Sequence, residues 1–308
     1  MTTEYNYTIE HPGEVFMEKL QELGMSVKEF SVRACKPEKT VIDVIKGRSA
    51  VSPEMALLIE YVTGMSAEML LRWQSEYDAQ QARARMAIKP EEISKWMSLL
   101  PVEDIVKNGW LPYLPNDVEM ANSLLRFFGV VSPKAWEEYY YRQRLRVAFN
   151  VSIKESVDPY ALSAWLRRGE LQARDIVLNT TYSPNALKDK LPDIQFVLNN
   201  PPDDVMPYIR EILAGCGVKL IYTEPLPTVT VKGATRWIGG CPCIQLLNAT
   251  GAYENYAYTI FHEIAHILLH GRKDVFLEEY GPSSEDAYRQ KEAEADAFAR
   301  KWLFLKPL

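Results

Sequence analysis

The sequence predicts an α+β protein that is mainly α: an N-terminal five-helix module, a helical connector, and a C-terminal domain of helices around a small β-sheet. Three observations lead there. Short amphipathic runs, most opened by a serine or a proline, fill residues 11–85. Short strand-like runs bounded by glycines cluster between residues 218 and 247. Directly after them come two helix-forming runs, 261–270 and 290–299, that carry histidines and carboxylates four residues apart. At 308 residues the chain is long for a single core, and the expected division is 1–85, 86–184 and 185–308.

Composition sets the outer bounds. With 47% hydrophobic and 25% charged residues, the chain reads as an ordinary globular protein. No apolar run approaches the length of a membrane span, and Met1-Thr2-Thr3-Glu4-Tyr5-Asn6 lacks the basic-then-apolar layout of a signal peptide. Four scattered cysteines do not make a disulfide framework. Cys241-Pro242-Cys243 has no matching second pair and reads as strand. These features point to a cytoplasmic protein with no membrane partner. A net charge of −6 supplies no global attraction to nucleic acid.

In the first module, His11-Pro12-Gly13-Glu14 leads into a helix with Val15, Phe16, Leu20 and Leu23 on one side, stopped at Gly24. Ser26 caps the second helix, Val27 to about Ala34, with Glu29 at the capping-box spacing. Pro37 opens a third that ends at Gly47 and turns Val41, Val44 and Ile45 inward. Ser52-Pro53-Glu54 begins a fourth, carrying Met55, Leu57, Leu58 and Ile59. Ser66-Ala67-Glu68 begins a fifth, which passes Trp73 and Tyr77 towards Arg85. A tight turn between the second and third of such helices is the helix-turn-helix plan. Between Lys28 and Arg48, six basic residues (Lys28, Arg33, Lys36, Lys39, Lys46, Arg48) face three acidic ones, a local phosphate-facing patch.

The segments His11-Pro12-Gly13-Glu14, Gly24-Met25-Ser26, Ile45-Lys46-Gly47 and Ser52-Pro53-Glu54-Met55-Ala56-Leu57 resemble HigA-type antitoxins of the Xre class over residues 11–85. The resemblance implies a DNA-binding fold in which Glu38–Lys46 faces the major groove. Lys28, Lys36, Lys39, Thr40, Lys46 and Arg48 are then the candidate contacts to double-stranded DNA. Glu38 and Asp43 are carboxylates on the same face that would oppose phosphate. Xre-type modules pair on palindromic sites, which points to a homodimer. The alternative is a module kept for pairing or for holding another protein.

In the connector, Ile93, Trp96, Met97, Leu99 and Leu100 recur at helical spacing, and Pro112 and Pro115 break the chain. Asp117 to Phe128 forms the next helix. Ser132-Pro133 starts another, with Trp136, Tyr139, Tyr140 and Tyr141 and then Arg142, Arg144 and Arg146. Aromatics interleaved with arginines suit single-stranded nucleic acid, but more often mark a core face with a solvated cationic side. The latter is the expectation here. Tyr160 to Glu170 reads as a further helix.

From Ser183 the C-terminal domain begins. Asn185–Asn199 and Val205–Ala214 read as helices; Val218–Tyr222, Thr228–Lys232, Thr235–Ile238 and Cys241–Leu247 read as strands, with Gly239-Gly240 as a turn. Then comes Phe261-His262-Glu263-Ile264-Ala265-His266-Ile267-Leu268-Leu269-His270, which holds three of the four histidines of the chain. Positions four apart on a helix lie about 40° apart around the axis and about 6 Å apart along it. The His262 and His266 rings therefore stack on one face, able to bind one metal ion. A catalytic zinc site needs a third protein ligand and one open position. Glu292, in the downstream run Gln290–Ala299, supplies it, with Glu294 in reserve. Asp296, one turn on, is placed to accept the outer N–H of a ligating ring. The alternative is a core helix whose histidines hydrogen-bond to neighbours.

The pattern H-E-I-A-H-x-L-L-H followed by E-x-E-A-D-x-F-A resembles the ImmA/IrrE family of zinc metallopeptidases, a gluzincin-like group, over about residues 185–308. The resemblance implies Zn²⁺ on His262, His266 and Glu292, with Glu263 as general base. Asp296 stands where that family has Asn or Asp. The family's terminal L-L-M-P is present only loosely, as Leu303-Phe304-Leu305-Lys306-Pro307. His270 is either an outer partner of the site or a structural group at its rim. Tyr256, Tyr258, Arg236 and Tyr280 are the candidate oxyanion donors. The edge on which an extended substrate would add lies within 235–247. The leading reading is a zinc metallopeptidase fused to a helix-turn-helix module, acting on a partner protein such as a repressor or antitoxin. The rivals are a HigA-like regulator with a structural or vestigial metal site, and a phage-defence toxin acting by proteolysis.

Overall fold

A computed structural model describes residues 9–86, 88–144, 158–202, 204–229, 232–247, 253–270 and 285–304. Contacts divide the chain into two units, Met1–Ile88 and Lys89–Leu308.

The first unit holds α1 (Pro12–Glu22), α2 (Val27–Arg33), α3 (Glu38–Ile45), α4 (Pro53–Thr63) and α5 (Ala67–Arg85). Side chains fix where these helices begin. Ser26, Ser52 and Ser66 accept from the backbone N–H of Glu29, Met55 and Met69, and a cap of this kind contributes about 1 kcal/mol. His11 caps α1, its Nδ1 accepting from the Gly13 N–H at 3.0 Å. A Cβ on Gly13 would meet the Val44 carbonyl oxygen at 2.1 Å, so α1 can sit against the end of α3 only with glycine there. The turn between α2 and α3 pivots on Cys35, whose φ of 51° is left-handed. Phe16, Leu20, Phe30, Val41, Val44, Met55, Ile59 and Leu70 make the core, the Phe16 and Phe30 rings meeting edge-on at 4.8 Å.

Two residues expected on apolar faces are instead 45% exposed, Leu23 and Leu57. Leu23 caps the end of α1, beyond its last turn. Leu57 lies about 200° around α4 from Met55, off the buried stripe of Met55, Ala56, Ile59 and Thr63.

In the second unit, α6 (Pro90–Met97), α7 (Val102–Lys107), α8 (Asp117–Phe128) and α9 (Pro133–Trp136, continued as a π-helical stretch Glu137–Arg144) lead to α10 (Pro159–Asp175). Trp96, Phe127, Phe128, Trp136 and Tyr140 are buried together, and Trp136 stacks on Tyr160 at 4.8 Å. Next come α11 (Pro184–Asp189), α12 (Leu191–Asn199) and α13 (Met206–Gly215). The single helix expected over 185–199 is thus two. Pro192 removes a backbone donor and its ring disfavours an uninterrupted helix through Lys190.

The sheet is three strands in the order β1 (Lys219–Thr223), β3 (Cys241–Leu247), β2 (Gly233–Ile238). β1 runs parallel to β3 and β2 antiparallel to it, joined through Gly239 and Gly240 at φ 61° and 83°. The strand expected over Thr228–Lys232 is not formed at its described residues: Val229 N–H closes a turn onto Leu226 O at 3.0 Å. Gln245 of β3 is fully buried, and its side chain takes bonds from or gives them to Arg236, Trp165 O and Thr223. Against this sheet packs α14 (Tyr253–Ala265), continued by a π-turn His266–His270, and α15 (Glu285–Phe304) packs in turn on α14. Leu198, Ile209, Leu220, Ile244, Phe261 and Ala299 belong to their shared core. Among the described residues no helix is long and apolar enough to cross a membrane.

Candidate metal centre

The polar stripe of α14 is held in place by the apolar residues between its polar members. Ile260, Phe261, Ile264, Ala265 and Ile267 are buried, and Phe261 stacks on Trp302 of α15 at 6.0 Å. This fixes both the rotation of α14 and its partner helix. His262 and His266 consequently point their Nε2 atoms at one another, 3.0 Å apart. Glu292 of α15 closes the triangle, with Oε2 3.3 Å from His262 Nε2 and Oε1 3.4 Å from His266 Nε2. All three side chains remain partly exposed, at 15%, 21% and 26%.

These separations suit a cation. Donors about 2.0–2.1 Å from a tetrahedral centre stand about 3.3 Å from each other, close to the three edges found. The charge is also right. Burial works to lower the His262 pKa, but the Glu292 hydrogen bond and the charges of Glu263, Glu292 and Asp296 outweigh it, and the net shift is upward. A site that stabilises positive charge against burial accommodates a divalent ion of nitrogen and oxygen preference. His262, His266 and Glu292 are the group among the described residues whose ligand atoms could hold a metal, all within 4.8 Å of one another.

Around this trio lie the outer contacts. His262 Nδ1 is 3.0 Å from Asp296 Oδ1, and the Tyr258 hydroxyl donates to the same oxygen. Burial first and then the Asp296 carboxylate push the Tyr258 pKa up to about 12. His266 Nδ1 lies 2.9 Å from His270 Nδ1. Glu294 reaches His270 rather than the trio, with Oε2 3.3 Å from His270 Nε2.

Glu263 lies between the trio and the sheet, within electrostatic reach of His262 and Glu292 and bonded to β2. It is 6% exposed, and its Oε2 accepts from Thr235 Oγ1 at 2.7 Å. Burial lifts its pKa to about 7 despite the Thr235 bond and the neighbouring His262. Gly233 of β2 packs against its other oxygen, where a Cβ would come within 2.8 Å. Neither Thr235 nor Gly233 stood out in the sequence. The glycine that opens β2, two residues before a strand threonine, is the one faint signal.

The oxyanion candidates are otherwise engaged. Arg236 Nη2 donates to Leu166 O and Gln245 Oε1, Tyr256 faces Leu247 O at 3.5 Å, and Tyr258 is taken by Asp296. Tyr280 lies outside the described residues.

In the first unit, Lys28, Lys39, Thr40, Lys46 and Arg48 are exposed around α2 and α3. Two of the six candidate contacts are paired within the chain: Lys36 with Glu54 at 2.8 Å and Arg48 with Asp43 at 2.6 Å. Asp43 thus offers its charge to Arg48 as well as to any approaching phosphate.

Comparison with known proteins adds two matches. Residues 220–303 match the M78 peptidase model described as the IrrE N-terminal-like domain, a span that takes in β1 from its second residue, β2, β3, α14 and Glu292, Glu294 and Asp296 of α15. The N-terminal region is 32% identical over 71 residues to the uncharacterized HTH-type transcriptional regulator YddM of Escherichia coli (strain K12). That match covers 23% of this chain and 76% of the relative.

Proposed function

We propose that this chain, which carries an IrrE N-terminal-like peptidase domain at residues 220–303 and an N-terminal region similar to an HTH-type regulator, is a cytoplasmic zinc-dependent metalloendopeptidase of the ImmA/IrrE type that cleaves a partner protein such as a repressor or antitoxin. The observation that carries this reading is the triangle of His262, His266 and Glu292, with a buried carboxylate on the residue next to His262. Those three side chains would hold the ion. Zinc, when bound, supplies Lewis acidity towards a peptide carbonyl and towards water.

The chain's own residues do the rest. Asp296, steadied by Tyr258, accepts the outer N–H of His262 and so keeps its Nε2 lone pair directed at the ion. Glu263, with its pKa lifted by burial to about 7, takes a proton from the attacking water and returns it to the leaving amine near neutral pH. β2 is the terminal strand of the sheet on the Glu263 side. An extended substrate adding to that strand would bring its main chain past the base.

The first unit contributes recognition of double-stranded DNA through α3. Lys28, Lys39, Thr40 and Lys46 are the exposed contacts, and Lys36 and Arg48 would exchange their carboxylate partners for phosphate. A homodimer on a palindromic site belongs to this reading.

The test is Glu263→Ala. Zinc content and helix content stay at wild-type levels, while proteomics of cells expressing either form shows a fragmented neighbour protein only with the wild type. A mutant with the full biological effect would hand the function to the regulator module instead.

A further inference from the structure

His270 and Glu294 remain once the trio and Glu263 have their roles. We propose that Glu294 and His270 form a two-step hydrogen-bond buttress that fixes which nitrogen His266 offers to the metal, so that both are positioning residues. This rests on the metal reading above and deepens it.

His266 Nε2 faces His262 Nε2 at 3.0 Å and Glu292 at 3.4 Å, so it must carry a lone pair to bind a cation. A neutral imidazole has one N–H, which therefore sits on Nδ1. That atom is 2.9 Å from His270 Nδ1, which must accept, leaving the His270 proton on Nε2. His270 Nε2 lies 3.3 Å from Glu294 Oε2, an acceptor. Gln290 Nε2 donates to the other Glu294 oxygen at 3.0 Å and holds that side chain in place. Every step pairs one donor with one acceptor. Moving either imidazole proton to the other nitrogen sets two donors or two lone pairs face to face.

His262 reaches the same result in one step, through Asp296. The outer nitrogen of His266 instead meets another ring, His270, across the π-turn His266–His270. Such turns recur at functional sites. The His270 side chain is only 5% exposed and Glu294 is 47% exposed. A buried ring is held by its bonds, while an exposed carboxylate shares its bond with water. His270 should therefore matter more than Glu294.

The probe is zinc alone, added to the full chain in competition with a chromogenic chelator. Loss of an outer partner of a ligating histidine weakens metal binding about 10- to 100-fold, and His270→Leu is expected to do so. His270→Gln recovers most of the affinity, since its amide can accept from His266 and donate to Glu294. Glu294→Gln gives a smaller loss. Cobalt(II) absorption follows the same order, with the leucine variant losing the wild-type band shape. Wild-type affinity in a folded His270→Leu protein overturns the proposal, as does a glutamine variant no better than leucine. If the leucine variant does not fold, Glu294→Gln decides: a loss supports the buttress and wild-type affinity removes it. A wild-type chain that takes up no zinc sinks the underlying metal reading instead.

Discussion

At Glu263 the two carboxylate oxygens meet different neighbours on β2: Thr235 Oγ1 donates to Oε2 at 2.7 Å, and Gly233 leaves room for Oε1 where a Cβ would stand 2.8 Å away. The Thr235 hydroxyl also lies 3.2 Å from the Glu263 backbone oxygen, so one side chain ties the strand to both ends of this residue. Thr235→Val keeps the volume and removes the donor from a buried carboxylate, a change that costs about 1–3 kcal/mol. Thr235→Ser should restore most of it. Gly233→Ala should also destabilise, because Thr259 Cγ2 crowds the same space at 2.9 Å. These substitutions touch the proposed base and not the proposed ligands, so zinc affinity should stay at the wild-type level while urea unfolding moves to lower concentration. A fall in zinc affinity equal to that of His270→Leu would mean that β2 supports the ligands themselves. Nothing in the sequence announces this contact. Thr235 and Glu263 stand 28 residues apart, and a strand threonine has no signature that names its partner. His262 and His266 are different: four residues on one helix fix their meeting before any tertiary packing, and Glu292 and Asp296 repeat that spacing on the facing helix.

Among the elements, those with a side-chain cap were the most legible. Ser26, Ser52 and Ser66 mark the starts of α2, α4 and α5 in the sequence, and each accepts the bond its position implies. The break at Lys190 and the missing strand at Thr228–Val229 were harder to read, since apolar periodicity alone does not weigh Pro192 or a turn closed by backbone atoms. The cap of α1 carries a consequence for pH. Burial lowers the His11 pKa below 6.5, partly opposed by the charges of Asp78 and Glu14. The folded state therefore favours the neutral ring, whose Nδ1 accepts from Gly13 N–H. A protonated ring has no acceptor to offer. With the folded pKa depressed, the unfolded state binds more protons as pH falls below 6.5. The stabilisation is thus fully present above that value and is lost down to the lowered folded pKa. Protection factors for hydrogen exchange across α1, corrected for the intrinsic rate at each pH, should fall between pH 7 and pH 5. His11→Asn, which keeps a capping oxygen without a titrating ring, should flatten that dependence, and an unchanged pH profile in this variant would place the effect elsewhere.

For the molecule as a whole, charge and chemistry are parcelled out unevenly. The chain carries a net −6, so its long-range field repels DNA. Any affinity must come from the local excess of lysine and arginine on the face of α2 and α3. The metal triangle lies entirely in the second unit, on α14 and α15. This distribution was readable as composition and motif, because a basic cluster and an H-E-x-x-H pattern are local in sequence. It predicts that the two proposed activities separate by mutation. DNA affinity should fall linearly with log salt, with a slope of about −0.9 for each phosphate neutralised. Lys39→Ala should reduce the magnitude of that slope by about 1 and weaken binding on all sequences alike, with zinc affinity unchanged. Glu263→Ala should leave the slope untouched. Gel shifts over a range of salt concentrations, with the chain's own upstream DNA against an unrelated duplex, read both outcomes. A slope that ignores Lys39 would remove α3 from the DNA interface. A slope altered by Glu263→Ala would show that the proposed base reports to the unit proposed to face DNA, contrary to the separation that the placement of the charges implies.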